Sequence, residues 1–308
     1  MEETDIQYYF DKYLSFGKHM RNYAEATIKS YKATFRLFLK DTKISEITEI
    51  SKELLEQWFF DSRVRRNWST VSFWTHHKHL NAFLKWMHKQ EYIPQNYLDD
   101  VEKPRLEKKL PKTLSKDQAK IILDASFNYP YFYRFARYRN RAIVGIMLLA
   151  GLRRKEVINL KYGDVSIETR TIFIQQGKGN KDRMIPMNHQ LCNILEEYIY
   201  QRRKFKKKTL NMFCSIQRDE PIKESAISNL MFKLRKVTRI KFSAHTLRHA
   251  FARLMLEGGC DIYTLSKIMG HSKITTTTIY LACSSKQMSK SIEMHSLNSD
   301  ISRDNFSF

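Results

Sequence analysis

The segment from Ser243 to Gly259, SAHTLRHAFARLMLEGG, has apolar residues at helical spacing. It also contains side chains that can transfer protons or bind anions. At about 100° per residue, Arg248 and His249 lie about 60° and 40° to either side of His245 on a helical wheel. An apolar stripe with helical spacing is formed by Leu247, Ala250, Phe251, Leu254 and Met255. We therefore expect the apolar side to pack, and the opposite side to present the three polar side chains near a helix N-terminus, which favours anions.

The residues of this segment, taken alone, are compatible with two other interpretations. A histidine and arginine cluster on a helix is often solvated surface. The i, i+4 spacing of His245 and His249 fits zinc, but no HExxH glutamate stands between them and no carboxylate ligand is near. We therefore predict no metal site.

Two further residues that could take part in catalysis lie close to glycines in the sequence. Arg153 follows Gly151 at a junction between two helical patterns, in LLAGLRRKEVINLKYGDV. Lys178 lies at the tip of a predicted hairpin in GKGNKDR, where glycines permit close approach to another backbone. The alternatives are an arginine paired with Glu156 at i+3 and a solvent-facing turn lysine.

A fourth segment, DIYTLSKIMGHSKITTTTIY, predicts a helix from Asp261 that ends at Gly270. His271 follows immediately, and Tyr280 stands nine residues later. Taken alone, these are also compatible with a loop histidine and a core tyrosine.

The elements that would position these residues are mostly helical. Residues 1 to about 105 show two clear apolar stripes, formed by Ile28, Tyr31, Phe35 and Phe38 and by Phe73, His77, Leu80, Leu84 and Met87. A charged segment with two prolines follows and predicts an exposed linker. Beyond it, Ser115 and Gln118 predict a capping box, and Thr171–Ile174 and Met184–Met187 predict two paired strands.

Composition favours a polyanionic partner. The 54 basic and 32 acidic residues leave a net charge of +22, which attracts nucleic acid or an anionic surface at long range. The sequence contains no run of about 18 apolar residues, so we predict no membrane span. Cys192, Cys214, Cys260 and Cys283 form no CxxC pair, so we expect free thiols and a cytoplasmic protein.

Four motifs, AGLRRKE, GKGNKDRMIP, HTLRHAFA and MGHSKITTTTIY, together resemble the tyrosine recombinases of the phage integrase family, in that family's order. The similarity is greatest to the simple, two-domain Xer-like members and extends over nearly the whole chain. It implies a mainly α fold with a small β-sheet in the catalytic domain, arranged as a two-domain DNA clamp. The implied parts are a helical SAM-like core-binding domain (1–103), a linker (104–114) and a catalytic domain with a C-terminal tail (115–308).

The resemblance also implies a catalytic set, with Tyr280 as nucleophile and no cofactor or metal. Its other members are Arg153, Lys178, His245, Arg248 and His271. The arginines would clamp the phosphate oxygens, to which guanidinium forks are suited. His245 would accept the Tyr280 proton, Lys178 would protonate the leaving 5′-oxygen, and His271 would hydrogen-bond the phosphate. His249 lies outside this set and is interpreted as a supporting histidine.

The implied activity is site-specific recombination of double-stranded DNA through a 3′-phosphotyrosine intermediate. The implied assembly is a homo-tetramer in the synaptic complex, in which the C-terminal tail would dock on a neighbouring protomer; a heteromeric partner recombinase stays an alternative. Three other functions are weighed against it: a type IB topoisomerase-like relaxing enzyme, a non-catalytic DNA-binding protein of the same fold, and a basic nucleoid or RNA-binding protein. The recombinase-like N-terminal domain argues against the topoisomerase, the complete catalytic set against the non-catalytic protein, and the ordered motifs against the nucleoid or RNA-binding protein.

Overall fold

The computed structural model describes residues 4–106, 113–175, 182–271 and 274–278. The chain divides into two compact units, Met1–Lys108 and Lys109–Phe308, and each is considered by itself. The division falls within the predicted linker 104–114, of which residues 107–112 lie outside the described residues. No helix in the described ranges is both long enough and apolar enough to cross a bilayer.

The described part of the first unit contains four α-helices: α1 (Ile6–Met20), α2 (Glu25–Thr42), α3 (Lys52–Arg65) and α4 (Thr70–Lys89). The side chains of Asp5, Ser51 and Ser69 accept hydrogen bonds from the first backbone N–H groups of α1, α3 and α4. Both predicted apolar stripes are buried, including His77. The core is rich in aromatic rings; Phe10 stacks on Phe35 with a centroid separation of 3.7 Å.

Where the structure describes it, the second unit is mainly helical with one small antiparallel sheet, as predicted. Its elements are α5 (Lys116–Asn128), α6 (Arg134–Leu149), α7 (Arg154–Asn159), β1 (Val165–Ser166), β2 (Thr171–Ile174), β3 (Arg183–Pro186), α8 (His189–Lys204), α9 (Glu224–Thr238), α10 (Ala244–Glu257) and α11 (Ile262–Met269). The sheet order is β1-β2-β3. The capping box at Ser115 is present, because Ser115 and Gln118 each bond the other's backbone N–H at 3.1 Å.

The sheet differs from prediction in two details. The second predicted strand begins one residue earlier, at Arg183, which pairs with Ile174 in the β2–β3 ladder. Strand β1 is not predicted from the sequence, because its two residues are too few to show alternation. The turn predicted between the strands, with Lys178, lies largely outside the described residues.

Helix α6 lies at the centre of the second unit and ends just before the first residues of the candidate site. Seven consecutive residues, from Ala142 to Leu148, are buried, and the helix packs against α5, α8 and α10. The chain then turns at Gly151, where φ is +65° and a Cβ atom would lie only 2.3 Å from Cδ1 of Phe251. Only glycine permits this approach, and it brings the start of α7 next to α10.

Candidate functional site

The structure describes four of the six predicted catalytic residues. Arg153 immediately precedes α7, His245 and Arg248 lie on α10, and His271 follows the end of α11. Lys178 and Tyr280 lie outside the described residues.

The carboxylate of Glu156 is the centre of the site. It accepts hydrogen bonds from the backbone N–H of Arg153 at 2.7 Å and from that residue's Nη1 at 2.8 Å. Arg183 donates through Nη1 at 3.0 Å and Nη2 at 2.8 Å, one bond to each carboxylate oxygen. Nη1 of Arg248 lies 3.8 Å from Oε2 of Glu156. The i+3 pair between Arg153 and Glu156 therefore exists, as one part of a larger cluster.

This ionic cluster, formed by Glu156, Arg153, Arg183 and Arg248, is largely closed to solvent. The side chains of Glu156, Arg183 and Arg248 are only 8%, 9% and 6% exposed. Burial by itself would raise the pKa of Glu156, but the hydrogen bonds and charge of Arg183, with those of Arg153, lower it from 4.5 to about 2. Glu156 is therefore ionised, and three guanidinium groups surround one carboxylate.

The same three arginines bind the end of α11. Arg183 Nε donates to the carbonyl oxygen of Ile268 at 2.9 Å, and Arg248 Nη2 donates to that of Met269 at 2.6 Å. Arg153 Nη2 donates to that of Gly270 at 3.0 Å. These three consecutive carbonyls lie where a helix leaves acceptors unsatisfied and its dipole favours cations. The ionic cluster thus fixes the backbone that leads into His271.

His271 is held from both ring nitrogens. Nε2 lies 3.3 Å from Nη2 of Arg248, and Nδ1 lies 2.8 Å from Oγ1 of Thr277. Because a guanidinium can only donate, Nε2 accepts, and Nδ1 carries the proton that is donated to Thr277.

The structure corrects the expectation that α10 presents His245, Arg248 and His249 together on one open side. His245 is exposed in the first turn and His249 is half-buried, but Arg248 is buried rather than presented beside them. The buried face of α10 also differs from the predicted apolar stripe. Ala252 and Leu256, which are outside the stripe, are buried, whereas Leu254 and Met255, which belong to it, are only partly buried. The reason is that α11 covers a second face of α10, which the periodicity of one helix cannot reveal.

His249 has a different environment from His245. Burial lowers the pKa of His249, and the neighbouring charges of His245 and Arg248 lower it further. A largely neutral imidazole next to the site agrees with its interpretation as a supporting residue, which stays a prediction.

Arg183 is not among the site residues predicted from the sequence. A usable signal was present in strand alternation: Ile185 is buried and Met184 is exposed, so Arg183 lies on the same side of β3 as Ile185. An arginine on the core-facing side of a strand requires a buried acceptor, which Glu156 provides.

The chain is similar to known proteins in sequence and in structure. A family model described as the phage integrase family matches residues 112–287, more than half of the chain. The chain is 27% identical over 285 residues to tyrosine recombinase XerD of Staphylococcus haemolyticus (strain JCSC1435), covering 90% of this chain and 95% of the relative. It is 32% identical over 197 residues to tyrosine recombinase XerA of Pyrococcus horikoshii, covering 63% of this chain and 65% of the relative.

Two solved structures are also similar. The crystal structure of XerA recombinase has a TM-score of 0.52 and 26% identity, covering 94% of this chain and 98% of that chain. A post-cleavage complex of the XerH site-specific recombinase with palindromic difH substrate has a TM-score of 0.73 and 20% identity, covering 92% and 84%. At that identity, the second likeness shows a shared fold.

Proposed function

This chain belongs to the phage integrase family and is a tyrosine-type site-specific recombinase, and we propose that Tyr280 is the nucleophile with which it cuts and rejoins DNA. The observation that supports this chemistry most directly is the ionic cluster, in which three guanidinium charges face one carboxylate. Counted over these four described residues, the surplus is two positive charges, and in a site largely closed to water it attracts a phosphate strongly.

In the proposed first step, the phenolic oxygen of Tyr280 attacks the scissile phosphorus. A 3′-phosphotyrosine ester forms, the bond to the 5′-oxygen breaks, and a 5′-hydroxyl leaves. His245, exposed at the start of α10, accepts the phenol proton, and Lys178 donates a proton to the departing oxygen. A 5′-hydroxyl from the partner duplex then attacks the phosphotyrosine, so the bond energy is conserved.

Arg153 and Arg248 would bind the non-bridging oxygens, on which charge grows in the transition state. Both guanidiniums are already oriented by Glu156 and by the end of α11, so little reorganisation is needed when DNA enters. His271 accepts from Arg248 through Nε2 in the described arrangement. To donate to a phosphate oxygen, that nitrogen must acquire a proton, which the negative charge of the phosphate favours.

Double-stranded DNA is the proposed substrate, and most contacts would go to its phosphates, which makes affinity steeply dependent on salt. We also propose a homo-tetramer in the synaptic complex, supported by family membership; a heteromeric partner recombinase is the alternative. A topoisomerase-like activity would instead relax plasmids that carry no recombination site.

The test uses a nicked suicide duplex, on which the covalent protein–DNA complex accumulates because the nicked strand is lost. Tyr280→Phe removes only the nucleophilic oxygen, so it should bind this duplex as the wild type does and form no covalent complex. If the variant still forms the complex on a denaturing gel, Tyr280 is not the nucleophile.

A further inference from the structure

Arg183 occupies a central place in the ionic cluster although the proposed chemistry does not use it. It begins β3 and is fixed there by its ladder pairing with Ile174. Its guanidinium spans both oxygens of Glu156, and its Nε binds the carbonyl of Ile268. One side chain therefore ties the sheet to α7 and to the last turn of α11.

The charge of Arg183 decides how much positive charge remains for a ligand. Oε1 of Glu156 lies 2.8 Å from Nη1 of Arg153, and its Oε2 lies 3.8 Å from Nη1 of Arg248. These two arginines are the proposed phosphate ligands. Arg183 makes the bidentate pair with this carboxylate, a strong form of ion pair. Without it, Glu156 would be balanced by Arg153 and Arg248 alone, and the surplus charge would fall from two to one.

Packing at Gly270 reinforces this arrangement. Gly270 has φ +61°, and a Cβ atom there would lie 3.0 Å from Nη1 and 3.1 Å from Cδ of Arg183. Arg183 thus lies directly against the residue whose carbonyl accepts from Arg153. Its position is coupled to that of Arg153 on one side and to the backbone before His271 on the other.

We propose that Arg183 is a positioning residue for DNA cleavage: it neutralises Glu156, so that Arg153 and Arg248 keep their orientation and net charge for the scissile phosphate. This rests on the proposed function, in which those two arginines bind the phosphate. Arg183 acts through Glu156 and does not need to touch DNA.

The central variant is Arg183→Gln, which keeps a hydrogen-bond donor for Glu156 but removes the charge. We expect single-turnover cleavage of the nicked suicide duplex to fall about 10–100-fold, by analogy with the range for residues that orient the ligands of metal sites. DNA affinity at the same salt should change little. Arg183→Lys, which keeps the charge without the fork, should lose less activity than Arg183→Gln.

A matched control is Arg141→Gln on α6. It removes the same charge from an arginine that pairs with Glu197 and shares no partner with the ionic cluster. Its cleavage rate should stay at the wild-type level. Thermal unfolding of each variant shows that the compared proteins are folded.

The decisive comparison adds Glu156→Gln to Arg183→Gln. If Arg183 acts by neutralising Glu156, the double variant cleaves faster than Arg183→Gln alone, because the carboxylate that offsets the charge of Arg153 and Arg248 is gone. The glutamine that replaces Glu156 keeps an oxygen that can accept from Arg153. If the double variant is as slow or slower, neutralising Glu156 is not what Arg183 contributes, and the proposal is wrong.

A second substrate gives an independent readout. A methylphosphonate at the scissile position lacks the negative charge that Arg153 and Arg248 would stabilise, so the deficit of Arg183→Gln should shrink on it. An equal deficit on both substrates overturns the proposal. Arg248→Ala is run in parallel, and wild-type cleavage by that variant would instead overturn the proposed phosphate clamp.

Discussion

The two units bury polar groups in opposite ways. In the first unit, the Thr34 hydroxyl lies 2.9 Å from Nδ1 of His76 and 2.7 Å from Nδ1 of His79, and Trp68 stacks on His76. Burial lowers the pKa of both histidines, so this cluster is neutral at physiological pH. The ionic cluster of the second unit instead keeps more cations than anions.

This difference separates a stabilising cluster from a reactive one. A neutral cluster whose hydrogen bonds are satisfied internally needs no ligand. A buried cluster with surplus charge retains a desolvation cost that an incoming anion relieves. The second arrangement is therefore the one expected at a phosphate-binding site.

The largest effect is expected for Arg248→Ala. Loss of one donor to the developing oxyanion typically slows catalysis about 10²–10³-fold. Cleavage of the suicide duplex, measured in single turnover, should fall by that factor while affinity falls far less. Equal losses in both would make Arg248 a binding residue only and would remove the functional contrast between the clusters.

A smaller effect is expected from acid on Glu156. Its pKa is lowered from 4.5 to about 2, so its stabilising contribution is complete above about pH 4.5 and is lost as the pH falls through 2. The shift corresponds to about 3 kcal/mol. Urea unfolding should show Glu156→Gln less stable than the wild type at pH 6, by a margin that narrows below pH 4.5. A margin independent of pH would mean that Glu156 contributes by packing alone.

The smallest effect concerns the first unit and occurs at higher pH. Burial, with the charges of His76 and Lys78, lowers the pKa of His79 from 6.5 to about 4. Stability from the neutral imidazole is therefore present above pH 6.5 and lost as the pH falls toward 4, by on the order of 1 kcal/mol because His79 is partly exposed. His79→Gln should weaken this dependence.

Tryptophan fluorescence can follow the first unit alone. All four tryptophans, Trp58, Trp68, Trp74 and Trp86, belong to it. Acid should change their emission between pH 6.5 and 4, before the loss expected at Glu156. A fluorescence transition only below pH 4 would contradict the predicted order.

Sequence reasoning succeeded where local pattern governs structure. Helical stripes such as that of Phe35 and Phe38, the capping box at Ser115 and the strand at Thr171 all depend on residues a few positions apart. It failed at Arg248, which was expected on an open face and is buried. A second helix covers that face, and no local pattern encodes this contact.

What the sequence by itself determined is the mainly α fold and the family, because residue types at fixed spacing carry that information; the catalytic set stays a prediction. What only the tertiary structure decided is how the charges are balanced. Glu156 meets Arg183 across 27 residues of chain, and Arg153 meets Gly270 across 117. The physical reason is that a buried charge is balanced by whichever groups lie closest in space, and folding brings those groups from distant parts of the chain.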